Sequence, residues 1–319
     1  VAVLAHNGPE FVEAWAATQR IGLRVTAVNW HSSAETIAYV VDNCDAKALV
    51  SSGRFAAAAT EAARLSKQLV LKLSFAGAID GFDDYETVIG REDPSDVANP
   101  EVGSTMLYTS GTTGRPKGVY RKTRPVVSQL TAVANATAKW NPDTDLSLLT
   151  GPLYHAAPLG LNLVLPMNAG AASLLMDKWD AEETLRLIDR HRVTHTHLVP
   201  TMMHRMLQLP QETKDKYDVS SMRWIIHGAA PCPAHVKKGI IDWFGPVLYE
   251  YYSATEGGGV WVTSDEWLKK PGTVTISIGP AFDATGMTEA QVNQKAEAWI
   301  EAEMRRISPH RYPDAAQRT

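Results

Sequence analysis

Short apolar, β-branched runs alternate with stretches of helical periodicity along most of this chain. Pro9 to Ile21 carries Phe11, Trp15 and Ile21 at helical spacing and stops at Gly22. Leu23 to Val28 follows as a strand. Ser32 and Glu35 form an S-x-x-E capping pattern that opens a helix through Val41. Ala48 to Val50 and Leu69 to Leu73 read as buried strands, and Phe82 to Glu101, polar and Pro-rich, as a connection. Thr105 to Tyr108 is a strand, Val126 to Ala138 a helix and Leu146 to Leu149 a strand. Asp180 caps a helix reaching His191, and strands over Thr194 to Val199, Arg223 to His227 and Val247 to Tyr251 alternate with helices over Thr201 to Leu209 and Pro233 to Phe244. A last strand spans Gly259 to Thr263. Such alternation predicts an α/β fold: layered, mixed, largely parallel sheets flanked by helices.

Composition narrows the class of function. The chain has 319 residues, 45% hydrophobic and 21% charged, which suits a globular fold rather than disorder. Thirty-one Lys and Arg against 35 Asp and Glu give a net charge of −4, so a basic nucleic-acid footprint is missing. Cys44 and Cys232 are too few for a disulfide framework or a multi-cysteine zinc site and fit a reducing, cytoplasmic setting. The uncharged run from Leu146 to Met176 is cut by Pro152, Pro158, Pro166 and three glycines. A spanning helix needs about 20 continuous apolar residues, so this run reads as buried core.

One segment carries specific chemistry: Tyr108-Thr109-Ser110-Gly111-Thr112-Thr113-Gly114-Arg115-Pro116-Lys117-Gly118. Its glycines allow a tight turn and close backbone approach. Thr109, Ser110, Thr112 and Thr113 offer hydroxyl donors, and Lys117 adds a positive charge. Donors and one cation on a strand-to-loop junction suit a polyphosphate. The pattern is not the G-x-x-x-x-G-K-[ST] loop. Gly, Thr and Pro also build plain surface turns, but a run this long of suitable residues argues against that reading.

This loop resembles the signature of the adenylate-forming superfamily, which includes acyl-CoA synthetases, peptide-synthetase adenylation domains and luciferases. There it holds the β- and γ-phosphates of ATP. A second family signature, aromatic-x-x-Thr-Glu, is matched by Tyr252-Ser253-Ala254-Thr255-Glu256. The resemblance implies that Tyr252 stacks on adenine, Thr255 contacts phosphate and Glu256 holds Mg²⁺, roles these side chains suit. A third match, Gly228-Ala229-Ala230-Pro231, implies a turn lining the adenine and acyl pockets through its backbone, though it also reads as an ordinary strand-end turn. Pro152-Leu153-Tyr154-His155 resembles the segment bordering the substrate carboxylate, with His155 orienting it or, alternatively, serving structure only. His195 and His197 have the spacing of a strand metal pair without a third ligand and read as structural. Cys232 has no nucleophilic role, and Ser110 lacks the G-x-S-x-G elbow.

The resemblance covers about residues 1–280, beginning at His6-Asn7-Gly8-Pro9-Glu10 and ending at Ile278-Gly279-Pro280. It implies a partial N-terminal AMP-binding domain, with the family's Thr-Gly-Asp signature and its standard C-terminal domain absent. Residues 281–319 are an unrecognised helical tail, with Thr288 and Gln291 at its start and Val292, Ala296, Trp299 and Ile300 on one face. The implied activity is ATP-dependent activation of a carboxylic acid, fatty acids first, followed by transfer to coenzyme A. ATP, Mg²⁺, CoA and a small acid are then the ligands. No nucleic acid and no membrane span are expected, and a homo-oligomer is allowed. Two other readings stay open: transfer to a carrier protein, and a truncated remnant that binds nucleotide without catalysis.

Overall fold

Phe11, Ala14, Trp15 and Thr18 are buried along α1 (Pro9–Arg20), the apolar stripe expected of its spacing. Pro9 opens this helix, where its missing N–H leaves no bond unmade. The computed structural model describes residues 1–109, 115–120, 135–254, 257–271, 280 and 282–307. The chain divides into two units, Val1–Pro271 and Gly272–Thr319.

The first unit begins with a six-stranded sheet of β1 (Ala2–Leu4), β2 (Arg24–Ala27), β3 (Ala48–Ser52), β4 (Leu71–Phe75), β5 (Asp83–Asp84) and β6 (Ser104–Thr105). Its order is β5-β4-β3-β1-β2-β6, and every pairing is parallel. Helices α1, α2 (Ala34–Asn43) and α3 (Ala56–Leu65) supply the crossovers, and α4 (Tyr85–Ile89) follows β5. Both faces are covered. Val3 packs with Phe11, Trp15 and Val25 on one side, while Ala2 and Leu4 pack with Ile37, Val41 and Leu49 on the other. Near-continuous apolar runs such as Ala2–Leu4 follow from that double burial.

A second six-stranded sheet contains β9 (Leu146–Leu149), β10 (Ala172–Leu175), β11 (His195–Leu198), β12 (Trp224–His227), β13 (Leu248–Ala254) and β14 (Gly257–Thr263), in the order β10-β9-β11-β12-β13-β14. All its pairings are parallel except β13 with β14. A π-helical turn over Pro158–Val164, α5 (Leu165–Asn168), α6 (Ala181–His191), α7 (Pro200–Leu207), α8 (Gln211–Lys214), α9 (Ala234–Phe244) and α10 (Ser264–Lys269) belong to this half. Leu149, Leu153, Tyr154, Leu159 and Leu163 join the cluster of Val3, Phe11 and Val25, so one core ties the two sheets together. The uncharged run is thus strand, π turn, helix and strand. Among the described residues no helix is long and apolar enough to cross a membrane.

Several boundaries differ from the sequence reading for physical reasons. The cap of α2 is Ser33, which accepts from the Thr36 N–H, not Ser32. The expected strand at Leu69 starts at Leu71, because Val70 is left 83% exposed. The strand expected over Thr105 to Tyr108 breaks at Met106, where the chain changes partner: β6 pairs with β2, whereas β7 (Leu107–Thr109) pairs with β8 (Lys117–Val119). Inside the expected connection, Asp84 accepts from the Thr87 N–H at 2.8 Å and starts α4. Asp180 does cap α6, accepting from the Glu183 N–H at 2.9 Å. Residues 135–138 are helical, and the rest of the helix expected from Val126 lies outside the described residues.

In the second unit, α11 (Glu289–Ile307) is one helix. The Gln291 N–H donates to Thr288 Oγ1 at 3.3 Å, and Gln291 Oε1 accepts from the Thr288 N–H at 2.8 Å. This reciprocal pair satisfies two end groups that would otherwise go unbonded.

Candidate functional site

Thr109 and Lys117 are direct partners in the antiparallel pair β7–β8, with Tyr108 opposite Gly118 and Leu107 opposite Val119. The two ends of the Gly/Thr loop are therefore fixed beside each other, with Lys117 exposed and Thr109 half-buried. Gly118 packs closely there: a Cβ would stand 2.2 Å from Met106 Cε and 3.0 Å from the Tyr108 ring. The pair is anchored to α2 and β2: the Tyr108 hydroxyl donates to Asn43 Oδ1 at 2.6 Å, Arg115 lies over the Tyr39 ring, and Arg24 over the Tyr120 ring at 4.4 Å. Ser110, Gly111, Thr112, Thr113 and Gly114 lie outside the described residues.

Other predicted positions lie at the carboxyl ends of strands in the second sheet, where ligands of parallel α/β sheets usually sit. Gly228, Ala229 and Ala230 follow β12, and Tyr252 lies near the end of β13, its sheet neighbour. Ala229 adopts φ 68°, a left-handed conformation that costs a non-glycine residue energy and often marks a binding turn. Gly228 has no room for a side chain: a Cβ would stand 2.6 Å from the Tyr251 ring. Successive residues of a strand face opposite sides, and the pair at the end of β13 shows it: Tyr251 is 8% exposed and Tyr252 is 53% exposed. Tyr252 is thus an exposed side chain on the strand whose Tyr251 backs the Gly228 turn. Ala254 pairs with Gly257, and Thr255 and Glu256 lie outside the described residues. Among the described residues no group of three or more His, Cys, Asp or Glu is placed to hold a metal.

His155 follows β9, which is joined to β12 through β11. Its side chain reaches the surface, and desolvation by the surrounding protein lowers its pKa below the ordinary imidazole value. Buried polar contacts link these strand ends. The Thr150 hydroxyl donates to the His197 carbonyl, His197 Nε2 lies 3.0 Å from the Tyr251 hydroxyl, and the Tyr251 ring backs Gly228. Sequence reasoning missed Thr150 and Tyr251, whose roles depend on strands far apart in the chain. His195 and His197 are buried and bonded within the protein. His195 lies 2.8 Å from the Ala138 carbonyl through Nε2, 2.7 Å from Thr194 Oγ1 through Nδ1, and under the Trp140 ring. Burial holds both imidazoles neutral, near a pKa of about 4. Burial also pushes the Cys232 thiol up to about 11, which leaves it a poor nucleophile.

Beneath the turns sits an ion pair that the sequence did not announce. Lys237 Nζ on α9 donates to Glu250 Oε2 on β13 at 2.5 Å, and the Lys237 side chain is only 3% exposed. Lys237 also lies over the Trp267 ring at 5.2 Å. His227, opposite Glu250 in the register, is buried, with no hydrogen-bond partner on either ring nitrogen. Burial first, then Lys237, depress its pKa to about 3.

Two largely parallel sheets flanked by helices, with the ends of a Gly/Thr segment paired in β7 and β8, suit an adenylate-forming enzyme. The signature of the AMP-binding enzymes matches residues 1–293, and the chain belongs to that family. It is 33% identical over 285 residues to 4-coumarate–CoA ligase 5 of Oryza sativa subsp. japonica, a match covering 85% of this chain and 50% of the relative. It is 29% identical to indoleacetate–CoA ligase of Aromatoleum aromaticum over 80% of this chain and 50% of the relative. Among solved structures, the amide bond synthetase McbA from Marinactinospora thermotolerans superposes with a TM-score of 0.71 at 22% identity, over 83% of this chain and 52% of that one. O-succinylbenzoate coenzyme A synthetase from Bacillus subtilis, in complex with AMP, gives 0.65 at 23% identity, over 85% and 65%. The chain spans about half the length of the curated relatives it matches.

Proposed function

We propose that the chain forms the nucleotide- and acid-binding part of an AMP-forming acid–thiol ligase. The observation that carries the reading is the β7–β8 pairing, which sets Lys117 beside the start of a donor-rich loop. Lys117, Thr109 and the loop from Ser110 to Gly114 would hold the terminal phosphates of ATP. Tyr252 would stack on adenine, with the Gly228–Ala230 backbone beside it and Thr255 on phosphate. Glu256 would hold Mg²⁺, which supplies neutralisation of phosphate charge. A carboxylate oxygen of the substrate attacks the α-phosphorus, the bond to the β-phosphate breaks, and pyrophosphate leaves. The CoA thiol then attacks the acyl carbon, loses its proton and expels AMP. Positioning and electrostatics supply most of the rate.

The acid is proposed to have an apolar body, fatty or aromatic. Leu153, Leu159, Leu161 and Leu163 are buried around the turn carrying His155, and the two CoA ligases named above act on aromatic acids by their names. The test is release of pyrophosphate and AMP from ATP with straight-chain and aryl acids, with and without CoA. Thioester formation supports the ligase. An adenylate that discharges only onto a carrier protein points to the other acceptor. ATP binding with no acid-dependent pyrophosphate release contradicts the proposal for this chain.

A further inference from the structure

Asn7 lies just beyond β1, yet its side chain reaches across to the second sheet. Its Nδ2 donates to the Gly151 carbonyl at 3.0 Å and to the Met176 carbonyl at 2.9 Å, and its Oδ1 accepts from the Leu153 N–H at 3.0 Å. Both amide donors are used, and two carbonyls facing nitrogen with one N–H facing oxygen fix which way the amide points. The partners come from the segments after β9 and β10, distant in sequence. The same turn is held from the first sheet by a second contact: the Tyr154 ring meets Trp30 edge-on at 6.0 Å, and Trp30 stacks on Phe55 at 5.4 Å. Within the turn the His155 N–H donates to the Pro152 carbonyl at 3.0 Å, and the His155 carbonyl accepts from the Leu159 N–H at 3.1 Å. Residues 151, 153 and 154 are therefore gripped, and His155 is the first exposed side chain after the grip.

We propose that Asn7 is a positioning residue for the acid subsite: it clamps the turn from Gly151 to Leu153 so that His155 is presented at a fixed place. The proposal rests on the ligase reading for the identity of the subsite. Apolar contact alone would hold the sheets together. Three directed hydrogen bonds fix the relative positions of three backbone groups, and losing them leaves two carbonyls and an N–H short of a partner.

The test compares the 319-residue chain with Asn7→Ala and Asn7→Asp. The Asp variant keeps the acceptor for Leu153 and loses both donors, and it serves if the Ala variant does not fold. Calorimetry measures a non-hydrolysable aryl-acyl sulfamoyl adenosine against AMP. Nuclear magnetic resonance follows Leu153 amide exchange and the His155 ring titration. The expected result is at least tenfold weaker binding of the acyl analogue with AMP affinity within twofold. Leu153 exchange should be at least tenfold faster, and the His155 titration should move up toward the ordinary imidazole value. Equal losses for analogue and AMP, or unchanged exchange and titration in a folded variant, overturn the proposal. If the unaltered chain shows no preference for the analogue over AMP, the ligase reading fails. The exchange and titration then still show whether Asn7 clamps the turn, and the acid role is overturned.

Discussion

Lys117 and Gly228 illustrate the two ways a single residue would serve the proposed site. Lys117 brings charge, so Lys117→Ala should weaken ATP binding far more than AMP binding, by about 1.5–3 kcal/mol for the lost charge-assisted bond. Calorimetry with both nucleotides checks this, and equal losses would show that Lys117 does not face the terminal phosphates. Gly228 brings the absence of a side chain. Gly228→Ala puts a Cβ 2.6 Å from the Tyr251 ring, and the ring cannot retreat far because its hydroxyl is held by His197. Overpacking of this kind costs about 1–3 kcal/mol, and AMP affinity should fall with it because the turn must shift. A Gly228→Ala variant with unchanged melting and unchanged AMP affinity would contradict the packing described. Residues of this type were legible in the sequence because their chemistry is local: a lysine after a Gly/Thr loop, a glycine after a strand. The contacts of Asn7 and Tyr251 were not legible, because their partners lie far along the chain and only strand order brings them together.

At the level of elements, the buried pair Lys237–Glu250 ties α9 to β13, the elements that flank the Gly228 turn and lead to Tyr252. Removing one member strands the other in a low-dielectric setting, whereas replacing both with apolar residues does not. Lys237→Met should therefore destabilise the fold by about 3 kcal/mol, and the Lys237→Met, Glu250→Leu double variant by much less. Chemical denaturation of both forms checks this, and a double variant as unstable as the single one would refute it. Element types and many ends follow from local signals such as the Asp180 cap on α6 and Pro9 at the start of α1. The break at Met106 did not, because it records a change of strand partner, and periodicity carries no information about partners. For the same reason the antiparallel pairing of β13 and β14 was not visible in an otherwise parallel reading.

The whole molecule should lose stability in mild acid, and its buried histidines set the window. His195 and His197 are depressed to about 4 and His227 to about 3, all chiefly by burial. In the unfolded chain these groups titrate near 6.5, at about the ordinary histidine value. As pH falls below that value the unfolded chain takes up protons first. The stability present above about pH 6.5 is thus lost progressively toward pH 4, by more than about 1 kcal/mol per group for each pH unit. A melting temperature flat between pH 6.5 and 4.5 would contradict neutral burial of the three. The central claim concerns the proposed site: that the loop between β7 and β8, the Gly228 turn and Tyr252 together accept an acyl-adenylate. The most direct measurement is calorimetric titration of the chain with a non-hydrolysable acyl-adenylate analogue and with AMP. The account predicts that the analogue binds at least about 100-fold more tightly, as mimics of activated species do. Equal affinities, or no binding of either, would contradict it.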